Sequence, residues 1–351
     1  MRLPDHWVWD SWVADDGTDY HLFFLMAPRA LEDPSARHVA ARVGHAVSRD
    51  LVDWDYRGEC FGPSEAGFDD LAIWTGSVVR QGDSWRMFYT ALSTAGHHIF
   101  DQRVGSAVSD DLHHWRRSST EPALRVDGRW YKTLANTPTA TPTTGPDLEG
   151  SSETWRDPVV LPDPDGDGWH LFVTARSVAA GHNDDGVIAH AASQDLTTWT
   201  LGPPLCDPGA GFGQLEVLQN VVVAGRPVLA FTCHPQEQTA ERIAEWGEYC
   251  TWSVPSPGVL GPWDMSKARP FRPEPDLFAA PIVRLRDGGS AIIGFRNLEP
   301  KGGDGFEIID PIPVTLDAEG YLVALAATPD ASPRPRRGPP TRTPGAAPPP
   351  G

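Results

Sequence analysis

The segment Val43-Gly44-His45-Ala46-Val47-Ser48-Arg49-Asp50-Leu51-Val52-Asp53-Trp54 returns as Val104-Gly105-Ser106-Ala107-Val108-Ser109-Asp110-Asp111-Leu112-His113-His114-Trp115, and again as Ile188-Ala189-His190-Ala191-Ala192-Ser193-Gln194-Asp195-Leu196-Thr197-Thr198-Trp199. Each copy alternates like a strand, closes in a Ser-x-Asp-Leu turn and sets a Trp where the next strand begins. Ser and Asp side chains bond nearby backbone amides and stabilise such a turn, which accounts for these Asp residues without chemistry. Leu and Trp are expected to anchor the turn to its own unit. A recurring strand-turn-strand element implies a fold built from repeated supersecondary units.

A second element recurs upstream of the first. Tyr20 to Met26, Trp85 to Thr90, Trp169 to Thr174, Pro227 to Thr232 and Ala291 to Phe295 are short aromatic or β-branched runs, as strands require. Each follows another apolar strand, beginning near Trp9, Trp74, Asp157, Glu216 and Ala279. Five units follow, predicting an all-β, five-bladed β-propeller in which each blade is a four-stranded antiparallel sheet. Residues 1–330 form this domain, with Phe306 to Val323 supplying the last outer strands. A chain of 351 residues with 14 Trp, 34 Gly and 35 Pro has the aromatic rings and turn formers such a fold consumes. Thr137 to Glu153, rich in Thr, Pro, Gly and Ser, reads as a surface loop, either a linker or an arm reaching the pocket rim. Residues 331–351, with many Pro and no acidic residue, are predicted to be a disordered tail.

Several function classes are disfavoured. A net charge of −18 argues against nucleic acid as partner, since phosphate binding needs clustered Lys and Arg. No run approaches the roughly 20 apolar residues that span a bilayer, so no membrane insertion is expected. The N-terminal residues enter a strand pattern at once and show no secretory leader, which predicts a cytoplasmic protein. Cys60, Cys206, Cys233 and Cys250 lack metal-binding spacing and read as reduced core residues. The turn Asp163-Pro164-Asp165-Gly166-Asp167-Gly168 has calcium-like alternation but no Glu at the twelfth position, and reads as a plain hairpin turn. His97-His98 and His113-His114 read as surface residues. No cofactor and no metal are expected, and no Gly-rich phosphate loop opens a helix.

Function in a propeller gathers where innermost strands begin. Those positions carry Trp9-Asp10-Ser11-Trp12, Trp74-Thr75-Gly76-Ser77, Arg156-Asp157-Pro158 and Gln214-Leu215-Glu216, whereas Ala279-Ala280-Pro281 offers no ionisable group. Asp10, Asp157 and Glu216 therefore converge, at what read as equivalent positions of three units. Like charges brought together force pKa values apart. Glycoside hydrolysis needs that separation: one carboxylic acid keeps a proton for the leaving oxygen while another stays ionised. A strand-capping or ion-pairing role, for example with Arg156, is the plainer reading of each acid taken singly.

The strings Trp7-Val8-Trp9-Asp10-Ser11-Trp12, Trp74-Thr75-Gly76-Ser77 and Trp155-Arg156-Asp157-Pro158 resemble motifs of the fructoside-processing glycoside hydrolases, the invertase-like family 32 and the levansucrase-like family 68. The resemblance implies a retaining β-fructofuranosidase with an oligosaccharide or small fructoside as substrate, and possible fructosyl transfer. It makes Asp10 the nucleophile, Asp157 the transition-state stabiliser and Glu216 the general acid/base, with Trp9, Trp74, Ser77 and Arg156 shaping the sugar subsite. Glu216 is followed by Val217-Leu218, not by the Cys-Pro or Arg-Pro usual in these families. Two other readings compete: an inverting, family 43-like arabinofuranosidase or xylosidase, and a non-catalytic carbohydrate-binding propeller.

Overall fold

A computed structural model of the chain describes residues 1–95, 101–136, 153–181, 183–258, 260–296 and 306–325. The anticipated tail, nearly all of the Thr137 to Glu153 segment and the His97-His98 pair lie outside the described residues.

Five antiparallel meanders succeed one another as blades. The first holds β1 (His6–Asp15), β2 (Tyr20–Pro28), β3 (Arg42–Ser48) and β4 (Asp55–Phe61). The second holds β5 (Ala72–Gln81), β6 (Ser84–Leu92), β7 (Arg103–Ser109) and β8 (Arg116–Arg117). The third holds β9 (Trp155–Pro162), β10 (Trp169–Arg176), β11 (Gly186–Ser193) and β12 (Thr200–Leu201). The fourth holds β13 (Glu216–Val223), β14 (Arg226–Thr232), β15 (Thr251–Pro255) and β16 (Arg269–Pro270). The fifth is broken along its inner strands: β17 (Leu277–Phe278) pairs with β20 (Phe295–Arg296), while β18 (Ile282–Arg284), β19 (Ser290–Ile292), β21 (Ile312–Leu316) and β22 (Leu322–Ala324) form a four-stranded sheet. The acidic turn joins β9 to β10 as a hairpin, with the Asp163 amide donating to Gly168 O at 2.8 Å.

The Ser-x-Asp-Leu turn is the same in all three copies. One Asp oxygen accepts from the amides two and three residues on, Val52 and Asp53, His113 and His114, Thr197 and Thr198, at 2.7–3.0 Å. Leu51, Leu112 and Leu196 adopt left-handed backbone, with φ of 63°, 63° and 61°. That conformation costs a β-carbon residue about 1–2 kcal/mol. Complete burial of each Leu offsets it, as do the Ser109 and Ser193 hydroxyls, each accepting the Leu amide at 2.9 Å.

The turn Trp anchors something other than its own blade. Trp115 packs edge-on against Phe23 of the first blade at 5.7 Å, and Trp199 against Phe88 of the second at 5.5 Å. Trp263 of the fourth blade meets Phe172 of the third in the same way at 6.1 Å. The three Phe residues occupy one position of the second strand, so the repeat glues neighbours together and the apolar core lies between blades. Trp263 is thus a fourth copy of the element, whose turn keeps a Ser, with Ser256 accepting the Gly258 amide at 3.3 Å, but has lost the Asp.

Residue sizes compensate inside the repeat. Phe24 pairs with Gly44 and Tyr89 with Gly105, whereas the third blade pairs Val173 with Ala189. A β-carbon on Gly44 would lie 2.5 Å from the Phe24 ring, and one on Gly105 would lie 2.4 Å from Tyr89. The glycines exist because the aromatic rings lie over them.

The cysteines form no disulfide, and three of the four are buried. His113 is not simply a surface residue, because its ring packs edge-on against His45 at 4.8 Å and His21 at 5.3 Å. His114 is exposed and bonds Asp111.

Candidate active site

Each of the first four inner strands carries a β-bulge at one level. The register skips at Asp10 between Trp9 and Ser11, at Thr75 between Trp74 and Gly76, opposite Val173 at Asp157-Pro158, and opposite Phe231 at Val217-Leu218. Bulges re-aim side chains and cluster beside active sites. Backbone φ is positive at Asp10 (27°), Asp157 (56°), Val217 (48°) and Ala279 (43°), the fifth-blade equivalent.

This register corrects one expectation. Asp10, Thr75, Asp157, Val217 and Ala279 share one position, while Trp9, Trp74, Arg156, Glu216 and Phe278 share the one before it. Glu216 is therefore not equivalent to the two Asp residues. It replaces the arginine of the third blade and the tryptophans of the first two.

Threonines fix these levels. Thr90 Oγ1 donates to Thr75 O at 3.0 Å within its blade and accepts the Asp157 amide at 2.9 Å from the next. Thr174 Oγ1 donates to Leu215 O at 2.8 Å and lies 3.3 Å from Asp157 Oδ2. Thr232 Oγ1 donates to Glu216 O at 3.3 Å. Each sits opposite the residue preceding the bulge.

Arg156 joins the acids. Its Nη2 lies 2.9 Å from Glu216 Oε1 and also donates to Gln214 Oε1, and its Nε is 3.5 Å from Asp157 Oδ2. Burial opposes its charge, but Glu216, Asp157 and Glu237 together hold the guanidinium above its ordinary pKa. Asp157 is buried, and burial raises its carboxyl well above the usual range. Arg156 and the Val217 amide oppose that rise, whereas Glu216 and Asp10 reinforce it. Asp10 accepts the Thr75 hydroxyl. Asp10 is partly accessible, yet dense surrounding protein pushes its carboxyl to about 6, with Thr75, Arg37 and Arg156 opposing and Glu216 adding.

Two residues that sequence reasoning passed over cover this group. The 3₁₀ segment Pro34–Ala40, between β2 and β3, carries Arg37 and His38. The Arg37 guanidinium lies over Trp9 at 5.5 Å, and burial lowers it to about 10 against the attraction of Asp10. Trp74 Nε1 donates to His38 O at 2.7 Å. Burial, with Arg37 and Arg156 nearby, lowers the His38 imidazole to about 3, so it is neutral. Trp9 and Trp74 are thus buried walls under this segment. Ser77 stands lower on β5, where its hydroxyl accepts the Val160 amide at 3.2 Å across the seam to the third blade. The sequence signal for Thr75 was its alignment with Asp10 and Asp157, and recurrence marked Thr90, Thr174 and Thr232. Nothing local marked Arg37 or His38.

A ring of five blades with three carboxylates and a bridging arginine at the bulges of its inner strands defines a glycoside hydrolase of the five-bladed propeller class. The chain belongs to glycosyl hydrolases family 32, whose N-terminal domain model matches residues 12–249. An extracellular sucrase of Zymomonas mobilis is 23% identical over 309 residues, covering 75% of this chain and 70% of that protein. A family 32 β-fructofuranosidase of Bombyx mori superposes with a TM-score of 0.64 at 17% identity, covering 92% of this chain but only 65% of its own. An inulosucrase of Halalkalicoccus jeotgali, solved with kestose bound, gives 0.67 at 20% identity, covering 92% and 89%.

Proposed function

We propose that the chain cleaves β-fructofuranosides with net retention, Asp10 acting as nucleophile, Glu216 as general acid/base and Asp157 as the acceptor that holds fructosyl hydroxyls in the transition state. One observation carries this reading. The two Asp residues occupy one bulge position, and Glu216 stands one position earlier, on a strand where Arg156 links it to Asp157 but not to Asp10. Asp10 is bonded by a hydroxyl rather than a guanidinium, which preserves its reactivity better than an ion pair does.

In the first step an Asp10 oxygen bonds the anomeric carbon as the bond to the leaving oxygen breaks, and that oxygen takes the proton of Glu216. In the second, Glu216 takes a proton from water, the water oxygen bonds the anomeric carbon, and the ester to Asp10 breaks. A sugar hydroxyl in place of water gives fructosyl transfer. Proton delivery requires the Arg156–Glu216 ion pair to give way. Arg156 Nη1, buried and without a hydrogen bond among the described residues, supplies a donor for the arriving fructosyl unit.

The test is purified protein on fructosides, arabinofuranosides and xylosides, with the first-formed anomer followed by NMR before mutarotation and methanol added as acceptor. Fructoside turnover with retention and a methyl fructoside supports the proposal. An inverted product without the methanol adduct would assign the family 43-like reading and make Asp10 a general base. No turnover of any glycoside, with binding retained, would leave a carbohydrate-binding propeller.

A further inference from the structure

A buried chain of alternating charge ends at Glu237, and the reaction proposed above uses none of its members. Lys132 Nζ lies 2.6 Å from Asp185 Oδ2, Asp185 Oδ1 is 3.0 Å from Arg176 Nη1, and Arg176 Nη2 is 2.7 Å from Glu237 Oε2. Relative exposures of 7% for Lys132, 0% for Asp185 and 3% for Arg176 show that this is core, not surface. Arg176 Nε also donates to Thr154 Oγ1 at 3.2 Å, next to the strand that carries Arg156. Ions this deep persist only when each is paired, and removing one leaves its neighbour uncompensated. Apolar residues of similar volume would fill such a space without that liability, so the charges are held for another purpose.

The backbone brings Glu237 to the site. The Gly213 amide donates to Glu237 O at 2.7 Å. A β-carbon on Gly213 would stand 2.8 Å from Glu237 Oε2 and 3.0 Å from Asn183 Cα. Only glycine lets these segments approach, and Gly213 immediately precedes Gln214, which receives the Arg156 guanidinium. Glu237 acts on Arg156 together with Glu216 and Asp157, and both Glu237 and Glu216 act on His234.

We propose that Glu237 is a positioning residue of the site: fixed by Arg176 and the buried chain behind it, it draws on the Arg156 guanidinium and so sets how strongly that cation serves Asp157 and Glu216. A guanidinium shared among three carboxylates holds each less tightly than one shared between two. The arrangement keeps Arg156 charged and oriented while easing its grip on Glu216, the ion pair that proton delivery must open. The functional meaning rests on the fructosidase reading, but the charge relationship does not.

The experiment follows Asp157 directly, by ¹³C NMR of protein labelled at aspartate side-chain carboxyls, with its signal assigned by D157N. The charged groups facing Asp157 are Arg156, Glu216 and Asp10, and beyond them Arg37 acts on Asp10 and on the neutral His38. In E237Q, loss of a negative charge and release of Arg156 both favour the Asp157 carboxylate, so its titration midpoint falls by about one pH unit. E237D keeps the charge but withdraws it by one methylene, and its midpoint lies between E237Q and the native protein. This second variant serves also if E237Q does not fold, a midpoint below native supporting the proposal and a native midpoint overturning it. A native midpoint in folded E237Q, or equal falls in both variants, would overturn it too, since a merely structural role does not grade with charge position. Midpoints that move as stated in a protein that cleaves no fructoside would remove the proposed function and leave this inference standing.

Discussion

The amide of Asp157 is held by the hydroxyl of Thr90 at 2.9 Å, across the seam between the second and third blades. Because that hydroxyl also donates to Thr75 O, one buried side chain sets the height of two bulges, the one presenting Asp157 and the one presenting the hydroxyl partner of Asp10. T90V keeps the shape and loses both bonds. It should cost about 2 kcal/mol in denaturant unfolding and lower kcat more than it raises KM, whereas T90S should restore most of both. A T90V protein with native stability and kcat would mean that these two bonds do not set the bulges.

The raised Asp10 carboxyl has two consequences of opposite sense. A nucleophile must be ionised, so kcat/KM should fall on the acid side with a midpoint near pH 6. Stability runs the other way. The folded protein binds this proton more tightly than the unfolded chain, whose carboxyl titrates near 3.8, so folding weakens as pH climbs from about 4 to 6 and is level beyond. D10N removes the titrating charge. It should abolish turnover yet gain about 2 kcal/mol of stability at pH 7 and almost none at pH 4, read as the Tm difference from the native protein at each pH.

Glu216 and Asp157 should fail differently when neutralised. A substrate with an activated leaving group needs little protonation, so E216Q should recover about 10²-fold on it relative to a natural fructoside. D157N should stay equally impaired on both, because hydroxyl contacts in the transition state do not depend on the leaving group. Parallel losses with folding intact would remove Glu216 as the acid.

Gly44 and Phe24 should behave as a unit. G44A forces a methyl against the ring and should cost about 1–3 kcal/mol. The double variant F24V/G44A recreates the Val173–Ala189 pair of the third blade, and its loss should be clearly less than the sum of the single losses. Additive losses would mean that the pairing of sizes is not the reason for the glycine.

The blades were legible because their turns are local chemistry. A Ser and an Asp bonding amides two and three residues away leave the same letters wherever they occur, so the three copies stood out. The fourth did not, since Trp263 keeps its contact with Phe172 and Ser256 still accepts the amide two residues on, but the turn has no Asp and Ser256 stands seven residues before the Trp instead of six. The acids could be found because inner strands begin at predictable points. Their relative register could not, because a bulge is a difference in pairing with the next strand and leaves no mark on its own strand. Arg37 and His38 escaped for a related reason: a bond from Trp74 to a carbonyl 36 residues earlier places them. Likewise, Glu237 meets Arg176 across 61 residues. The site was readable where one strand sufficed and hidden where two had to be known together.

The shared level of the bulges also bears on how such a protein can change. Five backbone positions share this level, and side chains at three of them, Thr75, Val217 and Ala279, carry no charge. The conformation that aims Asp10 and Asp157 is set by strand pairing, and at Asp157 also by the Thr90 hydroxyl, not by the acids themselves. A single codon change at any of the three uncharged positions would therefore bring a new functional group to the level of Asp10 and Asp157 on an already formed backbone. New chemistry on this ring is separated from old by substitution at a prepared address, with no need for a new loop or a new fold.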